Sequence, residues 1–227
     1  AFVISSMGET HDDVSVQKKE APQISLLKHL GSAFAEVWKR PALFWMIVTS
    51  ALIIGPLFAV GDFQQAVMSD VGISASLIGV IYAIKRLLSV AVQGSTHLLM
   101  RLVQPPKFLL VCAVIMLVHY IGIGLIDDPW LLLVPLLIGS LAWVGLEIAV
   151  NDYINRSTET TSRATLLSLN NFVRSFISLL TITLFGFVTT AASAAHGFLV
   201  IGIIFCFALI IPILMLFRHQ KAFVANL

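Results

Sequence analysis

Charge is what this chain has least of. Aspartate, glutamate, lysine and arginine make up 11% of its 227 residues, where a soluble domain carries about 25%. So little polar surface cannot cover a water-facing globule, and a soluble enzyme is excluded. Disorder is excluded too, because it needs low hydrophobicity and high net charge. The net charge is only +2, which gives no reason to expect a nucleic-acid partner. Cysteine is also scarce. Cys112 and Cys206 each sit inside an apolar run with no metal-ligand spacing, so they indicate no metal, no cofactor and no redox compartment. A basic segment with a cleavage signal is missing as well. The apolar stub at residues 1–4 reads instead as the tail of a helix that begins upstream.

What the chain has in abundance is hydrophobicity, at 58% of residues and a mean hydropathy of +0.96. The class that remains is all-α, a polytopic helical membrane protein. A spanning helix needs about 20 predominantly apolar residues, allowing for tilt. Runs that meet this test fall at 41–68, 75–99, 107–126, 130–154, 163–190 and 196–217, six in all. Turn chemistry separates them: Asp70-Val71-Gly72, Gln104-Pro105-Pro106, Asp127-Asp128-Pro129, the polar stretch 157–162, and the small residues Ala192-Ser193-Ala194.

Lysine and arginine are retained in cytoplasmic loops. With the chain before Pro41 placed inside, that side collects 11 of the 14 basic residues: Lys18, Lys19, Lys28, Lys39, Arg40, Arg101, Lys107, Arg156, Arg163, Arg218 and Lys221. The opposite loops hold only the acids Asp62, Asp70, Asp127 and Asp128. Both termini are therefore expected in the cytoplasm. Residues 8–20 form a polar linker, and 23–40 turn amphipathic, with Ile24, Leu27, Leu30, Phe34 and Val37 at helical spacing. An interfacial helix on the inner leaflet is the expectation, with a simple cytoplasmic extension of the first span as the alternative.

Lipid solvates polar side chains poorly, so helices surrounded by lipid should be apolar and helices lining a wet cavity should carry a polar stripe. The third span offers little beyond Cys112, His119 and Tyr120, and the sixth offers almost nothing, so both read as peripheral. The second carries Lys85, Ser89, Gln93 and Thr96 on one face, with Arg86 and His97 beside them. In the fourth, Trp143, Glu147 and Asn151 share a face below Gly139-Ser140. In the fifth, Asn170, Arg174 and Thr181 form one line, and Asn171, Ser175 and Ser178 the adjoining one. The first span adds Gly55-Pro56 at mid-membrane, then Gly61, Asp62, Gln64 and Gln65 near its outer end. Taken as two sets of three, each set has an interrupted first helix (Gly55-Pro56; Pro135 with Gly139 and Gly145), a polar second and an apolar third. Inverted repeats of secondary transporters produce such a correspondence.

The segment Asn151-Asp152-Tyr153-Ile154-Asn155-Arg156, followed by a polar loop and then Arg163-Ala164-Thr165-Leu166-Leu167-Ser168-Leu169-Asn170, resembles a known junction. It is similar to the one between the tenth and eleventh membrane helices of bacterial major facilitator superfamily transporters, where Arg-Ala-Thr-x-x-Ser-Leu is common. The resemblance implies that residues 1–7 end helix six, 8–40 form the central cytoplasmic linker, and 41–227 form the carboxy-terminal six-helix bundle. It also implies a missing amino-terminal six-helix half, helices nine and twelve at the periphery, and a bacterial plasma membrane. The stretch 94–107 departs from the family's loop motif, with Arg101 and Lys107 but no acid.

A lysine, arginine or aspartate at mid-membrane costs about 2.5–3.5 kcal/mol on insertion scales, so it faces a cavity and a partner. Lys85 and Arg86 in the second span and Arg174 in the fifth are candidate anchors for an anionic group of a small-molecule substrate. Glu147 is a candidate proton carrier, or the base that holds one arginine; a purely structural ion pair accounts for it equally. Gln93, Asn171 and Trp143 complete the candidate set, whereas His97 and His119 read as packed or interfacial histidines. The partners expected are thus that substrate, the lipid bilayer and the missing half. Proton-coupled transport by alternating access is the leading reading. A self-contained six-helix channel subunit or pump domain is the alternative, and a membrane enzyme stands behind both. No serine–histidine spacing, two-histidine metal site or paired acids support the enzyme.

Overall fold

In the computed structural model the described residues are 31, 34–35, 37–158 and 160–220, and the side chains of 96–102 and 160–162 fall outside the description. The expectations for 1–7 and 8–20, for most of the amphipathic stretch 23–40, and for the side chains of Thr96, His97 and Arg101 therefore lie outside the described residues. The rest is helical. In chain order come α1 (Pro41–Val60), a 3-10 turn (Gly61–Phe63), α2 (Gln64–Asp70), α3 (Ala75–Leu102), α4 (Pro105–Leu125), α5 (Leu133–Ser157), α6 (Thr160–Ala191) and α7 (Ala194–Arg218). Among the described residues, six spans are long and apolar enough to cross a membrane, the first of them made by α1, the turn and α2 together.

Local chemistry sets most boundaries. Gly72, at φ +87°, turns the chain between α2 and α3, a backbone position that favours glycine. Pro105 and Pro106 open α4, where their missing N–H groups cost nothing. The Asp128 carboxylate accepts the backbone N–H groups of Trp130 (3.0 Å) and Leu131 (2.7 Å), starting the turn that leads into α5. Ser193 caps α7 by accepting the His196 N–H at 3.3 Å.

Three expectations shift. The first span does not break at Gly55-Pro56: α1 runs through Pro56 and ends at Val60, so the interruption is the Gly61–Phe63 turn. Beside the proline, Ser178 Oγ donates to the Gly55 carbonyl at 2.7 Å, tying α6 to α1. The fourth span is likewise uninterrupted, because Pro135 falls in the first turn of α5. The polar stretch 157–162 is not one long loop, since α6 is already helical from Thr160.

Burial divides the helices. Within their most apolar windows, 61% of the first span and 56% of α5 are buried, against 11% for α3 and 11% for α6. The helices with the strongest polar stripes are therefore the least covered, packed on a centre formed by α1 and α5. Helix α1 packs on α6 and α7, α4 lies along α7 and α5, and α3 lies along α5. Outward, α4 presents Val111, Val114 and Val118, and α7 presents Ile203, Phe207, Ile210, Ile211 and Leu214.

Small residues allow the close approaches. A Cβ on Gly55 would lie 2.9 Å from Ile177 Cγ2 and 3.1 Å from the Arg174 carbonyl, so α6 rests almost backbone to backbone on α1. A Cβ on Gly124 would lie 2.6 Å from Leu199 Cβ and 2.8 Å from its backbone nitrogen. Around that seam Tyr120, Phe198 and Phe185 pack ring on ring, with centroids 6.4 Å and 5.4 Å apart. Gly124→Val should force α4 off α7 and lower stability by about 1–3 kcal/mol, read as an earlier thermal transition in detergent. Gly79→Ala, where no atom lies within 4 Å, should leave the transition in place.

Candidate solute site

Tyr82, Lys85, Arg86 and Ser89 recur at steps of three, one and three residues, which puts them on one face of α3. That face turns toward α5, where Ser140 and Trp143 are one turn apart, and toward the end of α1. The break at Gly61–Phe63 then redirects the chain so that Gln64, the first residue of α2, points inward and is only 1% exposed. A cavity of about 240 Å³ lies between these elements. Leu57, Phe58, Trp143 and Tyr82 supply its apolar and aromatic wall, and Lys85, Arg86, Asp62 and Gln64 its polar groups.

The polar groups are connected. Lys85 Nζ donates to Gln64 Oε1 at 2.6 Å, and Gln64 Nε2 lies 3.2 Å from His119 Nε2. His119 Nδ1 lies 2.7 Å from the Pro135 carbonyl oxygen. The Lys85 ammonium also sits 4.8 Å from the centroid of the Tyr82 ring, in cation–π geometry. Ser89 and Ser140 turn their hydroxyls back to their own helices, donating to the carbonyls of Lys85 (2.8 Å) and Leu137 (2.6 Å). Tyr82 Oη and Trp143 Nε1 are buried without a hydrogen-bond partner among the described residues, which in a folded protein calls for an explanation. Among the described residues, no carboxylate lies within ion-pairing distance of Lys85 or Arg86.

A second cluster adjoins the first. Arg174 Nη1 donates to Glu147 Oε1 at 3.0 Å and Nη2 to Asn171 Oδ1 at 2.7 Å. The guanidinium stands 4.8 Å from the centroid of the Phe58 ring, and Phe58 meets Trp143 edge to face at 5.7 Å. Phe58 is thus the partition shared by cluster and cavity. The pair is partly open, with side-chain exposures of 18% for Arg174 and 34% for Glu147.

Of the residues singled out from sequence, Lys85, Arg86 and Trp143 line the cavity, and Glu147, Asn171 and Arg174 form the neighbouring cluster. Gln93 is exposed on α3, away from both. The third span, expected at the periphery, supplies His119, which is 1% exposed and lines the cavity. Gln64 and Tyr82 were also outside the candidate set. A weak signal for His119 existed in Gly139: a Cβ there would overlap the imidazole, 2.2 Å from Nδ1, so that glycine is the notch in which the ring sits.

The family model of the Major Facilitator Superfamily matches residues 2–182. The chain belongs to the Major Facilitator Superfamily. The match runs from the amino-terminal stub through four helical spans and ends inside the fifth, α6. A search of curated proteins gives no match. As a superfamily member with six apolar spans, the protein is an integral, multi-pass membrane transporter. Its cavity and its ion pair are therefore features of a transporter bundle.

The geometry predicts coupling between the two halves of the ion pair. Glu147→Gln and Arg174→Gln should each cost about 1.5–3 kcal/mol, the range for a hydrogen bond to a charged group. The double variant should cost clearly less than the two together. Thermal unfolding of the four proteins in detergent checks this, and strict additivity would mean that the pair does not interact.

Proposed function

We propose that this protein is a proton-coupled secondary transporter that moves a small organic anion across the membrane by alternating access. These six helices would act as the carboxy-terminal bundle, opposed by a second six-helix bundle, with both ends of the chain on the cytoplasmic side of a bacterial plasma membrane. The observation that carries the reading is the charge balance of the cavity wall, where, among the described residues, Lys85 and Arg86 face one carboxylate, Asp62. Uncompensated charge in a membrane is costly unless a ligand or water meets it. The sparse coverage of α3 and α6, which carry polar groups such as Gln93 and Asn171 on exposed faces, supports an opposing bundle.

In this mechanism Glu147 is the coupling carboxylate. Deprotonated, it accepts the Arg174 Nη1–H and holds the guanidinium against Phe58. When Glu147 takes up a proton it loses its negative charge, the ion pair weakens, and Arg174 becomes available to an anionic solute across the Phe58 partition. Differential affinity of solute and proton for the two states of the bundle then drives the exchange. Arg86 and Lys85 receive the solute's anionic group, and Trp143 packs against its apolar body. No covalent step is assigned to any residue.

Uptake into proteoliposomes tests the proposal, with an imposed pH gradient and a panel of organic anions, sugars and cationic drugs. At least one organic anion should accumulate, and collapse of the gradient should stop it. Arg174→Ala and Glu147→Gln should abolish that uptake while the proteins still insert at normal levels. Normal transport by both variants, or movement of cations alone, would overturn the assignment.

A further inference from the structure

Hydrogen-bond polarity along the chain from Pro135 to Lys85 has a single consistent solution. A backbone carbonyl only accepts, so His119 must carry its proton on Nδ1 and donate it to Pro135. The neutral ring then offers a lone pair at Nε2, which accepts from the Gln64 amide nitrogen. That contact turns Gln64 Oε1 toward Lys85, whose ammonium only donates. A protonated His119 would instead present Nε2–H, rotate the amide, and set two donors against each other at Lys85.

We infer that Gln64 and His119 are positioning residues that hold Lys85 as an uncompensated ammonium, making the cavity select an organic carboxylate over its neutral isostere. Gln64 is suited to this because it takes one of the three lysine N–H donors without cancelling the charge, as a glutamate there would. The Tyr82 ring below supports the cation without neutralising it. Two cations and one carboxylate, Asp62, leave the wall with one net positive charge, which matches a carboxylate monoanion better than a phosphate dianion. Phe58, Trp143 and Tyr82 fit an aromatic or apolar body behind that group. The inference rests on reading the cavity as the solute's site, and it does not require that transport be proton-coupled.

Equilibrium binding of benzoate and of benzamide to the purified full chain in detergent, at neutral pH, tests it. Wild type should bind benzoate at least about tenfold more tightly, the ratio expected of one charge-assisted contact. Gln64→Glu should bring the two affinities together. Gln64→Met, which leaves Lys85 charged but unheld, should weaken benzoate and keep the preference. Equal binding of both probes by wild type, binding of neither, or an undiminished preference in Gln64→Glu would overturn the inference. If Gln64→Glu does not fold, nitrogen-15 histidine spectra of wild type decide, with the His119 signal identified by its loss in His119→Gln. A neutral Nδ1–H ring supports the relay, and an imidazolium or an Nε2–H ring contradicts it. Transport by wild type without carboxylate preference would remove this inference and leave the transport reading standing. Carboxylate preference without transport of any solute would do the reverse.

Discussion

A polar group inside a bilayer has no water to fall back on, so each one must be met by the protein, by a cavity, or by a ligand. The buried polar side chains can be read as answers to that demand. Arg174 is met three times over, by Glu147, Asn171 and the face of Phe58. His119 is met at both nitrogens. Ser50 reaches Asn170 at 3.5 Å and Ser178 reaches the Gly55 carbonyl, stitching α1 to α6. Lys85 has a neutral partner, and neither it nor Arg86 has a carboxylate among the described residues. The difference between satisfied and unsatisfied groups marks the cavity.

Packing puts those groups where they are. Close seams at Gly55 and Gly124 bring α1 onto α6 and α4 onto α7, which leaves α3 to lean on α5 alone over most of its length. The space that remains beneath the leaning helix is the cavity. The Gly61–Phe63 turn matters as much as any side chain, because it sets the register of α2, whose first residue, Gln64, meets Lys85. Phe63, the last residue of that turn, packs on the buried Phe185 of α6 with ring centroids 4.9 Å apart.

The six spans and the polar stripes were legible in the sequence because hydropathy and helical period are local properties. Lys85 and Arg86, Trp143, and the Glu147–Arg174 neighbourhood could be suspected on that basis alone. The Gln64–His119 relay could not. It depends on the register of α4 against α5 and on where the first span bends, and neither is written into any one helix. Pro56 misled for the same reason: the helix runs through it, and the interruption falls at Gly61 instead. Gln93 shows the opposite failure, since it shares the stripe of Lys85 and Ser89 but lies beyond the space that α5 and α1 enclose.

The α1–α3–α5 space should be wet although its rim is as greasy as the outer surface. Phe58 and Phe207 separate the cases, being 54% and 69% exposed on the cavity and on α7 respectively. With Cys112 and Cys206 replaced by alanine, Phe58→Cys and Phe207→Cys can each be labelled in membranes with a charged, bilayer-impermeant thiol reagent, which reacts with thiolate and hence only where water reaches. Rapid labelling is expected at position 58 and none at 207. Equal reactivity at the two positions, or protection of 58 alone, would contradict it.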